Sequence, residues 1–406
     1  MVSADRAPKL DLAIVGGGPA GMMAGLLFAR AGCKVQVLEK HADFFRDFRG
    51  DTVHPSTMEI LDELGMLERF LKRPHSQIRR VDLRIAGRDW RIADFSRLRT
   101  VTPFIAMMPQ WDFLDFLREE AAIYPGFNLA MSSPVVDFLD ERSTVAGVKL
   151  EDGTELRSKL TIAADGRASI VRRRLPLETL GAPIDVLWFR VDKAKSKQGS
   201  LRFAIGGGAI IVLMDRETYW QCAFVIPKGQ AEELLSKGIR PIREQLQAAA
   251  PDLDLSGLTS TSDFKLLNVS LDRLSRWSAP GLLAIGDAAH AMSPVGGVGI
   301  NLAIQDAVAA ANFLAGPLAA GQDVEPLLHK VRERRLWPTR FIQRAQKIIQ
   351  DRIIWPMLQQ GDRLEKVPLV ARIFDRFAPL RTLPGRLLGL GVRRERIRSP
   401  AAPIPS

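Results

Sequence analysis

The chain is poor in cysteine, with two in 406 residues. Cys33 and Cys222 stand far apart and neither has a C-x-x-C partner. That pattern argues against a metal site and against a dithiol redox pair. It leaves two core thiols and suits a reducing, cytoplasmic compartment. Long apolar runs are also missing. No stretch reaches the ~18 uninterrupted apolar residues of a membrane span. The first apolar strand begins by Leu10, which leaves no room for a cleavable leader. No internal repeat is visible. No zinc-finger spacing, RNA-binding signature or basic coiled coil accompanies the net charge of +11, so the charge reads as a solubilising surface and no nucleic acid is expected as a partner.

The length allows two or three domains at ~100–200 residues each. A hydrophobic content of 46% and a charged content of 25% are those of a soluble globular protein. One stretch organises the rest. Leu10, Leu12, Ile14 and Val15 read as a buried parallel strand. Gly16, Gly18 and Gly21 follow in the spacing G-x-G-x-x-G, with Pro19 and Ala20 between them, and a helix is expected from Ala20 to Ala31. A second strand, Lys34–Leu38, ends at Glu39 and Lys40.

Each residue type suits a dinucleotide. Gly16 permits the tight turn, Gly18 lets a pyrophosphate approach the backbone, and Gly21 lets helix and sheet pack closely. The anion would sit over the free N–H groups of the helix start. Glu39 lies 18 residues past Gly21, where an acid hydrogen-bonds the adenosine ribose and repels a 2′-phosphate. The motif does not separate FAD from NAD, and a turn that merely packs remains the alternative.

Farther on, Pro55 opens a helix carried by Met58, Leu61, Leu64, Leu67 and Leu71, and a second helix is expected over 111–122. Leu160–Ala164 reads as a buried strand that enters Asp165-Gly-Arg-Ala-Ser-Ile-Val-Arg172, the pattern D-G-x-x-S-x-x-R. From 178 to 270 the chain changes to strands separated by turns, an antiparallel sheet inserted into the first domain. Gly281–Gly286 returns to buried-strand character. Gly286-Asp-Ala-Ala-His-Ala-Met-Ser-Pro-Val-Gly-Gly-Val-Gly-Ile-Asn301 then runs into a helix. Asp287 is placed to accept a hydroxyl from a ribityl-like chain. Gly296, Gly297 and Gly299 would present consecutive N–H groups to a phosphate or an electron-rich ring oxygen. The last 65 or so residues look helical and basic, with a frayed Pro-rich tail.

Taken in order, these three motifs and the segment Arg49–Leu61 resemble the flavin-dependent aromatic hydroxylases of the p-hydroxybenzoate hydroxylase type. The resemblance covers roughly residues 9–340. It implies an α/β fold: a Rossmann-like FAD-binding domain from 1–75, 104–177 and 270–340, an inserted, mostly antiparallel substrate sheet from 76–103 and 178–269, and a helical C-terminal segment from 341–406. It implies FAD held by Gly16, Gly18, Pro19, Ala20, Gly21, Glu39, Lys40, Arg49, Gln110, Asp165, Gly166, Asp287, Pro294, Gly297, Gly299, Ile300 and Asn301. Pro294, Gly296 and Gly297 would lie beside the flavin ring, no catalytic base is singled out, and His290 is expected to be structural.

The implied activity is a monooxygenase that uses NAD(P)H and O2 to hydroxylate or epoxidise an aromatic or polyketide-like, lipophilic small molecule through a flavin C4a-hydroperoxide. No second G-x-G-x-x-G of matching context exists for the nicotinamide cofactor, as that family leads one to expect. Arg190, Arg202, Tyr219 and Gln221 are the substrate-contacting candidates, against a reading as solvent-facing strand residues. A related flavoprotein reductase or dehydrogenase and a non-catalytic flavin-binding regulator are the alternatives. A halogenase fits less well, because no W-x-W-x-I-P segment is present. The basic segment Leu383–Arg394 suggests either peripheral membrane contact or a packed tail, and the chain is expected to be a monomer or homodimer.

Overall fold

The computed structural model describes residues 10–45, 51–85, 88–193, 201–360 and 369–403. Apolar runs at Leu10–Val15, Val35–Leu38, Phe127–Ala130, Glu155–Ala163 and Leu282–Ala284 pair in parallel as the spine of an eight-stranded sheet. Leu10–Val15 lies between Val35–Leu38 and Glu155–Ala163. Leu12 and Ile14 are fully buried, and burial of each such side chain contributes about 1.5–3 kcal/mol. Both faces of this sheet must therefore be covered. Helix Pro19–Arg30 covers one part, and Gly25 leaves the room it needs. A Cβ on Gly25 would lie 2.8 Å from Val37 and 2.9 Å from the Phe127 ring.

Helix Gly299–Ala319 packs across Pro19–Arg30 and is apolar on nearly every side. By length and composition it could cross a bilayer, but 72% of its most apolar window is buried inside the protein. All-round apolarity here is that of a core helix.

A second, seven-stranded sheet runs in the order Lys265–Leu267, Ile184–Asp192, Tyr219–Pro227, Ala209–Asp215, Leu201–Gly206, Arg80–Ile85, Arg88–Asp94. All its pairs are antiparallel except Leu201–Gly206 with Arg80–Ile85. One face packs on helix Ile239–Ala249 through Leu187, Phe189, Leu213, Cys222, Ile242 and Leu246. The other carries Trp188, Phe203, Val212, Met214 and Ala223 toward Leu388 and Leu390 of the C-terminal region.

Three local expectations need correction. The helix opened by Pro55 ends at Glu63, and a separate turn of helix spans Leu67–Leu71. Gly65, at φ +67° between them, takes a conformation that ends the first helix. The helix entered at Gly297–Asn301 and expected to end near Leu314 begins at Gly299 and continues to Ala319. The tail is not frayed over 393–402. Arg335 donates to the Arg393 carbonyl and Glu395 receives both Arg334 and Arg335. Arg394 and Arg396 pair with Glu59 and Glu63, and the Ala402 N–H donates to the Arg30 carbonyl at 2.8 Å. Proline removes donors but leaves carbonyls and neighbouring side chains free to bond, so a Pro-rich tail can still be fastened. In Leu383–Arg394, Gly385, Gly389 and Leu390 are buried, while Leu383, Arg386 and Arg393 are exposed.

Candidate flavin and substrate site

The first strand of the parallel sheet ends at Val15, and the chain turns sharply through Gly16 at φ +101°. A Cβ on Gly16 would stand 2.6 Å from the Ala164 carbonyl, and one on Gly21 would stand 1.9 Å from the Gly16 carbonyl. These two glycines are demanded by packing. Gly18 is different: a Cβ there would meet nothing within 4 Å. Gly18 is also the N-cap of helix Pro19–Arg30, and it has no side chain to cap the first N–H groups. Those donors have no side-chain cap.

Glu39 Oε2 accepts the Gly17 N–H at 2.9 Å, and Oε1 accepts the His41 N–H at 3.0 Å. The carboxylate is thus fixed beside the glycine turn, at the end of strand Val35–Leu38. Lys40, two residues past strand Val35–Leu38, is exposed. Arg49 lies outside the described residues. Gln110 is the first residue of helix Gln110–Ala121.

The D-G-x-x-S-x-x-R segment follows strand Glu155–Ala163 and lies alongside the Gly286-Asp287 turn. Arg172 donates to the Asp287 carbonyl at 2.7 Å and to Asp272 Oδ1 at 2.9 Å. Arg167 donates to the Asp287 carboxylate at 3.1 Å and to the Met292 carbonyl at 3.2 Å. Asp165 accepts the Ile170 N–H at 3.1 Å. Burial pushes its carboxyl above the usual range against the pull of Ser169 and that N–H, and its Oδ1 is buried without a partner among the described residues. Gly166 takes φ +83°, and a Cβ there would again meet nothing within 4 Å.

The loop from Pro294 leads into helix Gly299–Ala319. The Gly297 N–H is taken by the Pro294 carbonyl at 3.0 Å. The expected run of consecutive N–H donors from Gly296 is therefore broken. The donors without an intrahelical partner are those of Gly299, Ile300 and Asn301, the first turn of the helix. Gly299 also has open space where a Cβ would be. Gly296 and Gly297 are required for another reason: added Cβ atoms would reach Leu388 at 2.8 Å and Thr52 at 2.7 Å. Thr52 Oγ1 donates to the Gly297 carbonyl at 2.8 Å, and Asn301 Oδ1 accepts the His54 N–H at 2.9 Å and the Thr57 hydroxyl at 2.7 Å. His54 Nδ1 lies 2.7 Å from the Leu388 carbonyl, so that nitrogen carries the hydrogen. Burial lowers His54 to about 4 and keeps it neutral.

His290 is buried, 2.6 Å from Asp306, and Asp306 also receives Arg335 at 2.9 Å. Burial opposes ionisation of Asp306, yet His290 and Arg335 hold its carboxyl below the ordinary range. This arrangement fixes the core helix against helix Leu328–Ile349, a structural use of His290.

The four substrate candidates separate. Directly paired residues share a sheet face and successive residues alternate. Gln221 pairs with Arg190 and Met214, whereas Arg202 pairs with Leu213, one step out of phase. Arg202 is therefore on the helix-covered face, where Asp252 receives it at 2.7 Å. Arg190 is exposed, bonded to Asp192, with its guanidinium 4.2 Å from the Tyr219 ring centroid. Gln221 is buried and accepts from Arg216 Nε at 2.9 Å. Arg216 in turn pairs with Asp51, both nearly buried. Burial pushes the Asp51 carboxyl up, opposed by Arg216 and Gln221. Asp51, Arg216 and His54 were not among the residues expected from sequence. The segment Arg49–Leu61 stands out in the sequence, but the contact of Asp51 with Arg216 spans 165 residues and carries no local pattern.

Three turns from three distant segments thus leave side-chain-free space at Gly18, Gly166 and Gly299, each beside unpaired donors or a buried carboxylate. A ligand with a pyrophosphate and a polar chain fits such a set, and FAD is of that kind.

A family model described as an FAD binding domain matches residues 9–345. Among similar proteins, 6-methylpretetramide 4-monooxygenase of Streptomyces rimosus is 32% identical over 399 residues, which cover 96% of this chain and 94% of that one. Rifampicin monooxygenase of Streptomyces venezuelae is 27% identical over 317 residues, 73% of this chain and 62% of that protein. Among solved structures, PqsL of Pseudomonas aeruginosa superposes with a TM-score of 0.73 at 24% identity, over 87% of this chain and 100% of that one. Anhydrotetracycline hydroxylase OxyS of Streptomyces rimosus gives a TM-score of 0.69 at 20% identity, over 94% and 76% of the two chains. At these identities the structures speak to the fold.

Proposed function

This chain belongs to the FAD binding domain family, and from that premise we propose that it is an FAD-dependent monooxygenase of aromatic or polyketide-like small molecules. NAD(P)H would be the reductant and O2 the source of the inserted oxygen. The observation that carries this reading is the 32% identity to 6-methylpretetramide 4-monooxygenase across nearly the full length of both chains.

In this reading the open turn at Gly18 and the first N–H groups of helix Pro19–Arg30 hold the pyrophosphate, and Glu39 holds the ribose. Asp287, aligned by Arg167, takes the ribityl chain. When bound, FAD supplies the hydride acceptor and the oxygen-activating centre, chemistry no side chain offers. The N–H groups of Gly299, Ile300 and Asn301 would stabilise negative charge on the edge of the ring. The substrate would lie at the face of the seven-stranded sheet turned away from helix Ile239–Ala249, between Trp188, Phe203, Val212 and Met214 and the C-terminal Leu388 and Leu390, with Gln221 and the Arg216–Asp51 pair as its polar end. This is the division of labour expected for the insert at 76–103 and 178–269.

The test is anaerobic mixing of the purified flavoprotein with NADPH and polycyclic phenols, followed by turnover under labelled dioxygen. One compound should accelerate flavin reduction and acquire one labelled oxygen. Reduction without label in the product would favour a reductase, and no stimulated reduction would favour a regulator.

A further inference from the structure

Helix Leu328–Ile349 carries two exposed aromatic residues, Trp337 and Phe341, whose ring centroids lie 5.8 Å apart. Arg340 and Arg344 interleave with them on the same helix surface. Residues three and four apart are neighbours on a helix, so 337, 340, 341 and 344 form one contiguous patch. Arg340 and Arg344 are both exposed, and neither has an ion-pair partner among the described residues. They open onto a cavity of about 270 Å³ lined by Leu180, Arg273, Arg340, Gln343, Arg344 and Lys347.

Four cations therefore converge on one cavity. Two of them are partly neutralised: Arg273 donates to Glu178 at 2.6 Å and Lys347 pairs with Asp351 at 3.0 Å. Arg273 Nε is buried without a partner among the described residues. A buried guanidinium N–H left unpaired is costly unless a ligand accepts it.

The cavity stands next to the loop at Pro294. Gln343, in its wall, donates to the Ala291 carbonyl at 3.2 Å. Gln346, three residues on, donates to the Ser293 and Val295 carbonyls, each at 2.9 Å, on either side of Pro294. Three residues are ~4.5 Å of helix. The cavity and the flavin-side loop are thus held by the same turn of helix.

We propose that this cavity docks the adenosine phosphates of the reduced pyridine nucleotide, with the base on Trp337 and Phe341. Aromatic faces and arginine forks are together the chemistry of a phosphorylated ring ligand. The chain has one dinucleotide glycine turn, and there Glu39 would repel a 2′-phosphate. At the helix surface the charge is of the opposite sign. The assignment rests on the monooxygenase reading only for the identity of the reductant.

The experiment is calorimetric titration of the FAD-saturated protein with 2′,5′-ADP and, separately, with 5′-AMP. Wild type should bind 2′,5′-ADP. Arg340→Ala/Arg344→Ala and Trp337→Ser/Phe341→Ser should each weaken that binding by about tenfold or more. FAD content and melting temperature should stay unchanged, since all four side chains are exposed. Tighter binding of 2′,5′-ADP than of 5′-AMP is also expected. No binding by wild type, equal affinity in the arginine variant, or no preference for the 2′-phosphate would each overturn the proposal. The FAD stoichiometry of the same samples reports on the flavin site separately.

Discussion

The guanidinium of Arg172 donates to the main-chain carbonyl of Asp287 at 2.7 Å, across 115 residues of sequence. The same side chain pairs with Asp272, and both are nearly buried. One residue therefore fastens the D-G-x-x-S-x-x-R turn to the Gly286-Asp287 turn, which puts two of the three motifs in register. Removing one member of such a pair leaves a buried charge without its partner, at a cost of about 3–5 kcal/mol. Arg172→Ala should lower the melting temperature and reduce FAD retention. Arg172→Lys should recover only part of both, because an ammonium cannot make the forked contact. Thermal melts and the flavin-to-protein ratio on gel filtration check this.

The glycines of the first turn should divide. Gly21→Ala places a Cβ 1.9 Å from a carbonyl oxygen and should not yield a folded protein. Gly18→Ala meets no protein atom within 4 Å, and its φ of −72° suits alanine. It should fold with near wild-type stability yet bind FAD about tenfold or more weakly. Apoprotein melting curves set against FAD titrations separate the two effects.

His54 gives a pH signature. Unfolded, it titrates near 6.5, and folded, burial lowers it to about 4. Between those values the unfolded chain binds more protons, so stability falls as the pH drops through that window. The loss reaches about 3 kcal/mol by pH 4. His54→Asn keeps a donor for the Leu388 carbonyl without titrating, and should flatten this part of the stability–pH curve. Denaturant unfolding at several pH values between 4 and 7 measures the slope.

The thiols should be silent in the native protein. Burial pushes Cys33 up to about 12 and raises Cys222 as well. Neither should react with a maleimide at pH 8 until denaturant is added, when two equivalents should be consumed. Mass spectrometry of timed reactions distinguishes these states.

Much of the fold was legible because its signals are local. Leu12, Ile14 and the glycine turn declare a strand and a helix within one stretch of chain. The change of periodicity near 178 marks the second sheet. The polar end of the sheet was not legible. Gln221 was picked out by strand alternation, but Arg202 faces the opposite side because its register follows Leu213. The Asp51–Arg216 pair depends on two segments meeting in space. The fastened tail was hidden for the same reason: its bonds go to Glu59, Glu63, Arg334 and Arg335, far back in the chain. Side-chain partners separated by tens to hundreds of residues leave no periodic trace.

The claim beneath all of this is that turns around Gly18, Gly166 and Gly299 together hold one flavin. It is tested most directly by the absorption spectrum and FAD stoichiometry of the purified protein, before and after incubation with excess FAD. The account predicts a yellow protein with one FAD per chain, released intact on denaturation. A colourless protein that takes up no FAD would contradict it.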